Sequence, residues 1–196
     1  MPEYRACNLI DLFVVTVLTL KRILLLSLCC VVTASAFGQA RDFGGIAQKE
    51  ALKKLSFMVG TWDGDGWVEM AGHKSTFQGT ETILEKCEGA LLSLEGNHYV
   101  MAGDRKIPIH NAFGFIRFDD KTGKYYMRSH LANGLEMEYE FTPKADGYVW
   151  SQTSPSWGDV TYTAVFKDGD WLEYGETSKD GKVSRVYEMH MKRRSS

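Results

Sequence analysis

Residues 124–142 read KYYMRSHLANGLEMEYEFT, and apolar side chains occupy nearly every second position on both sides of Asn133-Gly134. Such a dipeptide accepts the positive φ angles of a tight turn. A three-residue turn that ends at this glycine pairs Leu131 with Leu135 and keeps the apolar side chains of both strands on one face, whereas a two-residue turn would set Leu131 against Glu136. The stretch therefore predicts a β-hairpin with one buried face and with its glycine in the left-handed conformation.

The outer face of this hairpin is predicted to carry charge. The same register sets Arg128 opposite Glu138 and His130 opposite Glu136, and opposite charges across an antiparallel pair stabilise it. Glu140 continues the row of carboxylates. Because all three glutamates share one solvated face, they indicate a surface rather than the acid and base of a glycosidase.

Turn dipeptides of the same kind recur along the chain and divide it into short segments. Asp146-Gly147, Asp168-Gly169 and Asp180-Gly181 each lie between alternating or β-rich runs. The predicted strands are roughly 61–70, 74–86, 90–101, 109–118, 124–131, 135–142, 147–153, 159–167, 170–177 and 182–193. No segment is suited to the helix of a parallel crossover. The predicted fold is all-β, a single closed antiparallel up-and-down barrel of about ten strands with a short N-terminal helix.

One helix is predicted, over residues 46–59, where apolar side chains recur every four positions and form one face. Gly60 ends it, and Trp62 follows at the start of the first strand. A tryptophan in this position can plug one end of a barrel beneath an arginine from the last strand. Arg193 or Arg185 could supply that arginine, so we assign structural roles to Gly60, Trp62, Gly134 and Arg193.

The N-terminal segment has the features of a signal peptide. Lys21-Arg22 precedes the apolar run 23–32, and Ala34-Ser35-Ala36 supplies a cleavage site of the A-x-A type. We therefore expect a signal peptide at 1–36, a linker at 37–45 and a barrel domain at 46–196. The mature protein is then expected to be periplasmic or secreted, with no membrane association after cleavage.

Composition narrows the classes of partner. The chain has 196 residues, of which 44% are hydrophobic and 24% charged, with a net charge of −2. The sequence has no stripe of basic residues of the kind that binds nucleic acid. After the predicted cleavage Cys87 is the one remaining cysteine, which leaves no intramolecular disulfide and predicts a small buried side chain. A homodimer is left open by the sequence.

Two motifs carry a resemblance to known barrels. Residues 55–66 read LSFMVGTWDGDG, a short helix followed by G-x-W and G-x-G, and residues 110–117 read HNAFGFIR. The first resembles the opening motif of calycins, the superfamily of lipocalin-like β-barrels. More closely, it resembles the nitrobindin-type barrels and an uncharacterised group of exported bacterial lipocalin-like proteins. The second motif is similar to the H-x-x-x-G-aromatic-x-R strand of nitrobindins. The likeness extends over residues 52–193 and implies a barrel that binds its ligand inside.

For nitrobindins the resemblance further implies heme b, bound through a histidine on a late strand, with peroxynitrite isomerisation or nitric oxide sensing as the activity. His190 is the candidate iron ligand. Strand alternation, however, sets Tyr187 and Met189 on one face and His190 with Glu188 on the other. His190 is therefore predicted to point to solvent unless a β-bulge intervenes.

The leading functional hypothesis is an exported binding protein for a small hydrophobic or amphipathic molecule held in the barrel. The aromatic and methionine-rich rows predict its binding residues: Phe113, Phe115, Met127, Met137, Tyr139, Tyr162, Tyr187 and Met189. The alternatives are a heme protein and a ligand-free structural or interaction barrel, because such rows also suit a filled core. His110 is predicted to be structural and His98 to lie near the mouth. No catalytic residue and no other cofactor is indicated.

Overall fold

The computed structural model describes residues 45–70 and 72–195. The predicted signal peptide and linker, apart from Gly45, lie outside the described residues. Within the described ranges, no helix combines the length and the apolar character that a bilayer crossing requires.

Ten antiparallel strands close into one barrel, which confirms the predicted fold. The helix α1 spans Ile46–Lys53, and the strands are β1 (Gly60–Met70), β2 (His73–Lys86), β3 (Leu91–Ala102), β4 (Arg105–Asp119), β5 (Lys124–Leu131), β6 (Glu136–Lys144), β7 (Gly147–Ser154), β8 (Gly158–Lys167), β9 (Asp170–Lys179) and β10 (Lys182–Arg193). Each strand pairs with its neighbours in sequence, and β1 pairs with β10 to complete the barrel. An up-and-down barrel leaves no unpaired sheet edge.

The hairpin of β5 and β6 has the predicted register. The Leu131 N–H donates to the Leu135 carbonyl at 2.9 Å, and Gly134 has a φ of 85°. Arg128 lies opposite Glu138, as the three-residue turn requires. The turn chemistry was therefore sufficient to define which face of both strands is buried.

The predicted helix is correct in place but too long. The α-helix ends at Lys53, and a short 3₁₀ turn covers Ser56–Met58 before β1 begins. The chain must turn here from the helix axis onto the barrel wall, and the tighter 3₁₀ turn makes that change of direction. Leu52 and Met58 both remain buried, so the apolar face still packs against the barrel.

Trp62 plugs the end of the barrel beside α1, which we call the closed end. Its side chain is 1% exposed, and its indole N–H donates to the Met58 carbonyl at 2.9 Å. The Arg193 guanidinium lies 4.2 Å above the indole ring and also donates to the backbone carbonyls of Phe57 and Val59. Of the two arginines that the sequence offered, Arg193 is the one that covers the Trp62 ring.

The alternating direction of successive strands then defines the opposite end of the barrel, which we call the mouth. Because the chain runs up and down, the hairpins after β1, β3, β5, β7 and β9 all lie at the mouth. The hairpins after β2, β4, β6 and β8 lie at the closed end with α1. Any ligand site in the interior is thus bounded below by Trp62 and its neighbours.

The predicted inward orientation of β4 is wrong. Phe113 is 53% exposed and pairs with the outward-facing His130, while Phe115 pairs with Arg128. Ala112 instead pairs with Leu131, which faces inward. Residues directly opposite each other share a face of the sheet, so Phe113 and Phe115 lie on the outer surface.

Cys87 is exposed, contrary to the predicted burial. It lies in the 3₁₀ turn Cys87–Gly89 between β2 and β3, where its φ is 51°. Such a turn lies at the surface and offers the side chain no core to enter.

Candidate functional site

The barrel interior is hollow. A cavity of about 620 Å³ occupies the space between the closed end and the mouth, which is within the range of pockets that hold small organic ligands. All ten strands contribute to its wall, in which aromatic and methionine side chains are prominent. The interior of the barrel is therefore the candidate binding site.

Six of the eight predicted binding residues line this cavity. They are Met127, Met137, Tyr139, Tyr162, Tyr187 and Met189. Phe113 and Phe115 are not part of the lining because β4 has the opposite orientation. Their inward neighbours Ala112 and Gly114 take their place on the wall. These small residues widen the cavity on that side.

Glycines on β2 and β3 make room for polar side chains in the interior. A Cβ atom on Gly79 would lie 2.2 Å from the His98 ring, and one on Gly96 would lie 2.6 Å from a Glu81 carboxylate oxygen. Both contacts are closer than real side chains permit. Gly79 lies opposite His98, and Gly96 lies opposite Glu81. The two glycines therefore leave the space in which these polar side chains lie inside the barrel.

Glu173 on β9 is a buried carboxylate that borders the cavity. The Tyr148 hydroxyl donates to it at 3.0 Å, and the Trp150 indole N–H donates at 3.1 Å. Burial raises the pKa of Glu173 to about 7 despite these two donors, and the nearby Glu81 carboxylate adds to the rise. The interior thus holds a carboxyl group that titrates close to neutral pH.

Glu81, His98 and His110 form a polar row across β2, β3 and β4. His98 Nε2 lies 2.9 Å from a Glu81 carboxylate oxygen, near enough for an ion pair. The contact lacks the angles of a hydrogen bond, and this buried nitrogen has no hydrogen-bond partner. The His110 ring lies 5.2 Å from the His98 ring, and burial, together with His98, lowers the pKa of His110.

Flat aromatic faces border the same space. Trp150 and Tyr162 stack with ring centroids 4.2 Å apart and planes 7° from parallel. Phe77 stacks on His98 at 4.9 Å. The Gln152 amide donates to the Tyr162 hydroxyl at 3.0 Å, which holds that ring in place. Parallel, fixed rings suit a flat or apolar ligand body.

His190 does not reach the interior. Its side chain is 63% exposed and lies 3.3 Å from Glu188 on the outer face, as alternation predicted. A bulge does occur in β10, between Arg185 and Tyr187, but it lies before Tyr187 and leaves the face of His190 unchanged. An iron inside the barrel therefore cannot take His190 as its ligand, and the residues present do not fit the heme site that the resemblance implied.

Among the described residues, no group of three or more His, Cys, Asp or Glu side chains converges in a metal-binding arrangement.

Sequence reasoning missed Glu81, Glu173 and the inward position of His98. Both faces of β9 carry large apolar residues, with Trp171 on one face and Leu172 on the other. Alternation therefore does not show whether Glu173 points into the barrel or outward. The clue is in the pairing: Glu173 lies opposite Met189, which the sequence had placed inside. A glutamate opposite a predicted interior methionine was the available signal.

The raised pKa of Glu173 predicts a specific pH dependence of stability. Its folded-state pKa of about 7 lies above that of an unfolded glutamate, so the folded form holds the proton more tightly. Stability from this group is present below the unfolded pKa and is lost as the pH rises through about 7. Relative to Glu173→Gln, the free energy of unfolding of the wild type should fall by roughly 3 kcal/mol between about pH 4 and about pH 8.

Urea unfolding at a series of pH values measures this difference. Glu138→Gln is the matched control because Glu138 lies on the outer face in an exposed pair with Arg117. The control curve should run nearly parallel to that of the wild type. If the free energy of unfolding changed equally with pH in Glu173→Gln and in the wild type, the raised pKa of Glu173 would be contradicted.

Comparison with known proteins supports the fold. The chain is similar to the crystal structure of Rv2717c from M. tuberculosis, with a TM-score of 0.54 and 12% sequence identity, over 74% of this chain and 98% of that chain. The chain has a lipocalin-like barrel fold. At this identity the likeness concerns the fold alone. No protein-family profile and no curated protein matches the sequence.

Proposed function

We propose that this protein is an exported binding protein that holds a small amphipathic molecule inside its barrel. The observation that carries the proposal is the cavity of about 620 Å³ with a mostly apolar wall and a few convergent polar groups. Pockets of this size and composition are typical of small-molecule sites. A barrel of the lipocalin-like kind suits this function, and the predicted signal peptide is consistent with export.

The polar groups favour an amphipathic ligand over a purely apolar one. Glu173 and His98 are buried on the cavity wall, and His98 Nε2 has no hydrogen-bond partner within the protein. A buried polar atom without a hydrogen bond costs about 1–3 kcal/mol, and the contact of Nε2 with the Glu81 carboxylate at 2.9 Å offsets part of this cost. A ligand with one polar group near these side chains would recover part of that free energy.

Filling the cavity should weaken binding. The neutral fluorophore N-phenyl-1-naphthylamine should bind the wild type with enhanced, blue-shifted emission, because the cavity wall is apolar. Ala112→Trp adds a large side chain to the wall, since Ala112 faces the cavity, and we expect its affinity for the fluorophore to fall by about tenfold or more. A fluorescence titration measures the change.

Phe113→Ala is the matched control because Phe113 is the next residue on the same strand but lies outside. It should bind the fluorophore as the wild type does. The proposal fails if the wild type does not bind, or if Ala112→Trp binds as tightly as the wild type while remaining folded by circular dichroism. The proposed export is tested separately, by N-terminal sequencing of the protein recovered from the periplasm or medium.

A further inference from the structure

Carboxylates outnumber the side chains that can carry a positive charge on the described cavity wall, where the latter are His98 and His110. Three carboxylates, those of Glu69, Glu81 and Glu173, are among the lining residues. Among the described residues of this lining, none is a lysine or an arginine. An anionic ligand would therefore enter a low-dielectric space beside buried carboxylates and without a fixed cation, which is strongly unfavourable.

Two of these carboxylates are held in place deep in the barrel. Glu173 accepts hydrogen bonds from Tyr148 and Trp150, one on each oxygen, and each oxygen retains a further lone pair. The Glu81 carboxylate occupies the space that Gly96 leaves open on the neighbouring strand. Preorganised acceptors of this kind are ready to receive donors from a ligand without rearrangement.

His98 gives an independent indication that a polar group of a ligand binds in this region. Its side chain is 7% exposed and lines the cavity, yet Nε2 makes no hydrogen bond. Buried polar groups in folded proteins are rarely left without a partner. This nitrogen lies 2.9 Å from a Glu81 carboxylate oxygen but without the angles of a hydrogen bond, so one polar group of a ligand could bind both.

Aromatic faces complete the surroundings. The stacked pair of Trp150 and Tyr162 and the ring of Phe77 border the same cavity as the carboxylates. A cation near the face of such rings is stabilised by the ring quadrupole, and a flat apolar body packs well against parallel rings. Carboxylates together with aromatic faces are the usual complement of an organic cation.

Resting on the proposed function, we propose that the ligand is an organic cation: a protonated nitrogen base attached to a flat apolar body. Its nitrogen lies between Glu81 and Glu173, where it donates hydrogen bonds to the two carboxylates, and a polar group beside it reaches His98. Its apolar body extends toward the mouth along Trp150 and Tyr162.

Three anthracene probes that differ only in charge test this inference. They are 9-(aminomethyl)anthracene, which is a cation at neutral pH, 9-anthracenemethanol, which is neutral, and 9-anthracenecarboxylate, which is an anion. We expect the purified protein to bind the amine about tenfold more tightly than the alcohol, and the carboxylate most weakly. Tenfold corresponds to about 1.4 kcal/mol, within the range of a charge-assisted hydrogen bond.

Glu81→Gln and Glu173→Gln should each reduce the preference for the amine over the alcohol to about twofold or less, because the amide keeps the shape of the side chain but not its charge. Glu95→Gln is the control, because it removes the same charge from an exposed position on the outside of β3. It should keep the full preference. Circular dichroism confirms folding, and if one interior variant does not fold, the other and the wild-type series still decide.

The outcomes separate this inference from the function on which it rests. Equal affinities of the wild type for amine and alcohol, or tightest binding of the carboxylate, would overturn the organic cation and leave the binding function standing. A preference for the amine that persists in both folded interior variants would also overturn it. If none of the three probes binds, the proposed binding function fails and the inference fails with it.

Discussion

Replacing Trp62 with alanine is expected to lower the free energy of unfolding by about 3–5 kcal/mol. The side chain is fully buried at the closed end, where it contacts Phe166 and Trp171 at ring-centroid distances of 5.3 and 5.8 Å. Its loss leaves a large cavity and removes the partner of the Arg193 guanidinium. A domain of this size is stabilised by only about 5–15 kcal/mol, so the variant should be close to unfolding.

Urea unfolding monitored by far-ultraviolet circular dichroism measures this effect. Trp67→Ala is the matched control, since Trp67 lies on the same strand but only partly buried, with the Lys74 ammonium 3.5 Å above its ring. That variant should lose about 1 kcal/mol or less, the value of an exposed cation–π contact. Similar losses for the two variants would show that Trp62 does not plug the barrel.

Gly64→Ala is expected to destabilise the protein by about 3 kcal/mol or more, although it adds a single methyl group. A Cβ atom on Gly64 would lie 1.9 Å from the His190 carbonyl oxygen and 2.8 Å from the Met191 Cα. Both are backbone atoms of β10, so no side chain can move aside. The methyl group would force β1 and β10 apart at the seam that closes the barrel.

Thermal and urea unfolding measure the loss of stability. The control Gly123→Ala separates the steric effect of the added methyl group from the strain of a left-handed backbone conformation. Gly123 has a φ of 70° with no atom within 4 Å of a Cβ atom, so its substitution costs only the strain of a left-handed residue, about 1–2 kcal/mol. We expect Gly64→Ala to cost clearly more. If it costs less than Gly123→Ala, the close approach at the seam is not a constraint on stability.

Much of the fold could be predicted because its signals are local. The turn dipeptide at Asn133-Gly134 and the alternation around it were enough to define the register of β5 and β6, including the pair of Arg128 and Glu138. Tyr162 was likewise predicted to face inward, and it is buried together with its alternate neighbours Val160 and Ala164. In such strands one face is apolar and the other polar, so alternation determines which face is buried.

Prediction failed where both faces of a strand are apolar. In β4 the inward Ala112, Gly114 and Ile116 are no more hydrophobic than the outward Phe113 and Phe115, and the larger side chains suggested the wrong face. The neighbouring strands decide the orientation, because Ile116 must lie opposite the inward Met127. Within β4, Arg117 was the contrary signal, because it shares the alternation of Phe113 and Phe115 and pairs with Glu138 on the outer face.

The sequence by itself determined the all-β class, the number and order of strands, the turn at Gly134 and the outward position of His190, since turns and side-chain alternation act over a few residues. Only the tertiary structure showed the cavity and the meeting of Glu81, Glu173 and His98 inside it. Glu81 and His98 belong to the neighbouring strands β2 and β3, whereas Glu173 belongs to β9, far along the chain, and closure of the barrel brings the three together. The cavity depends on all ten strands, because it forms only where the inward side chains of opposite strands do not fill the barrel interior.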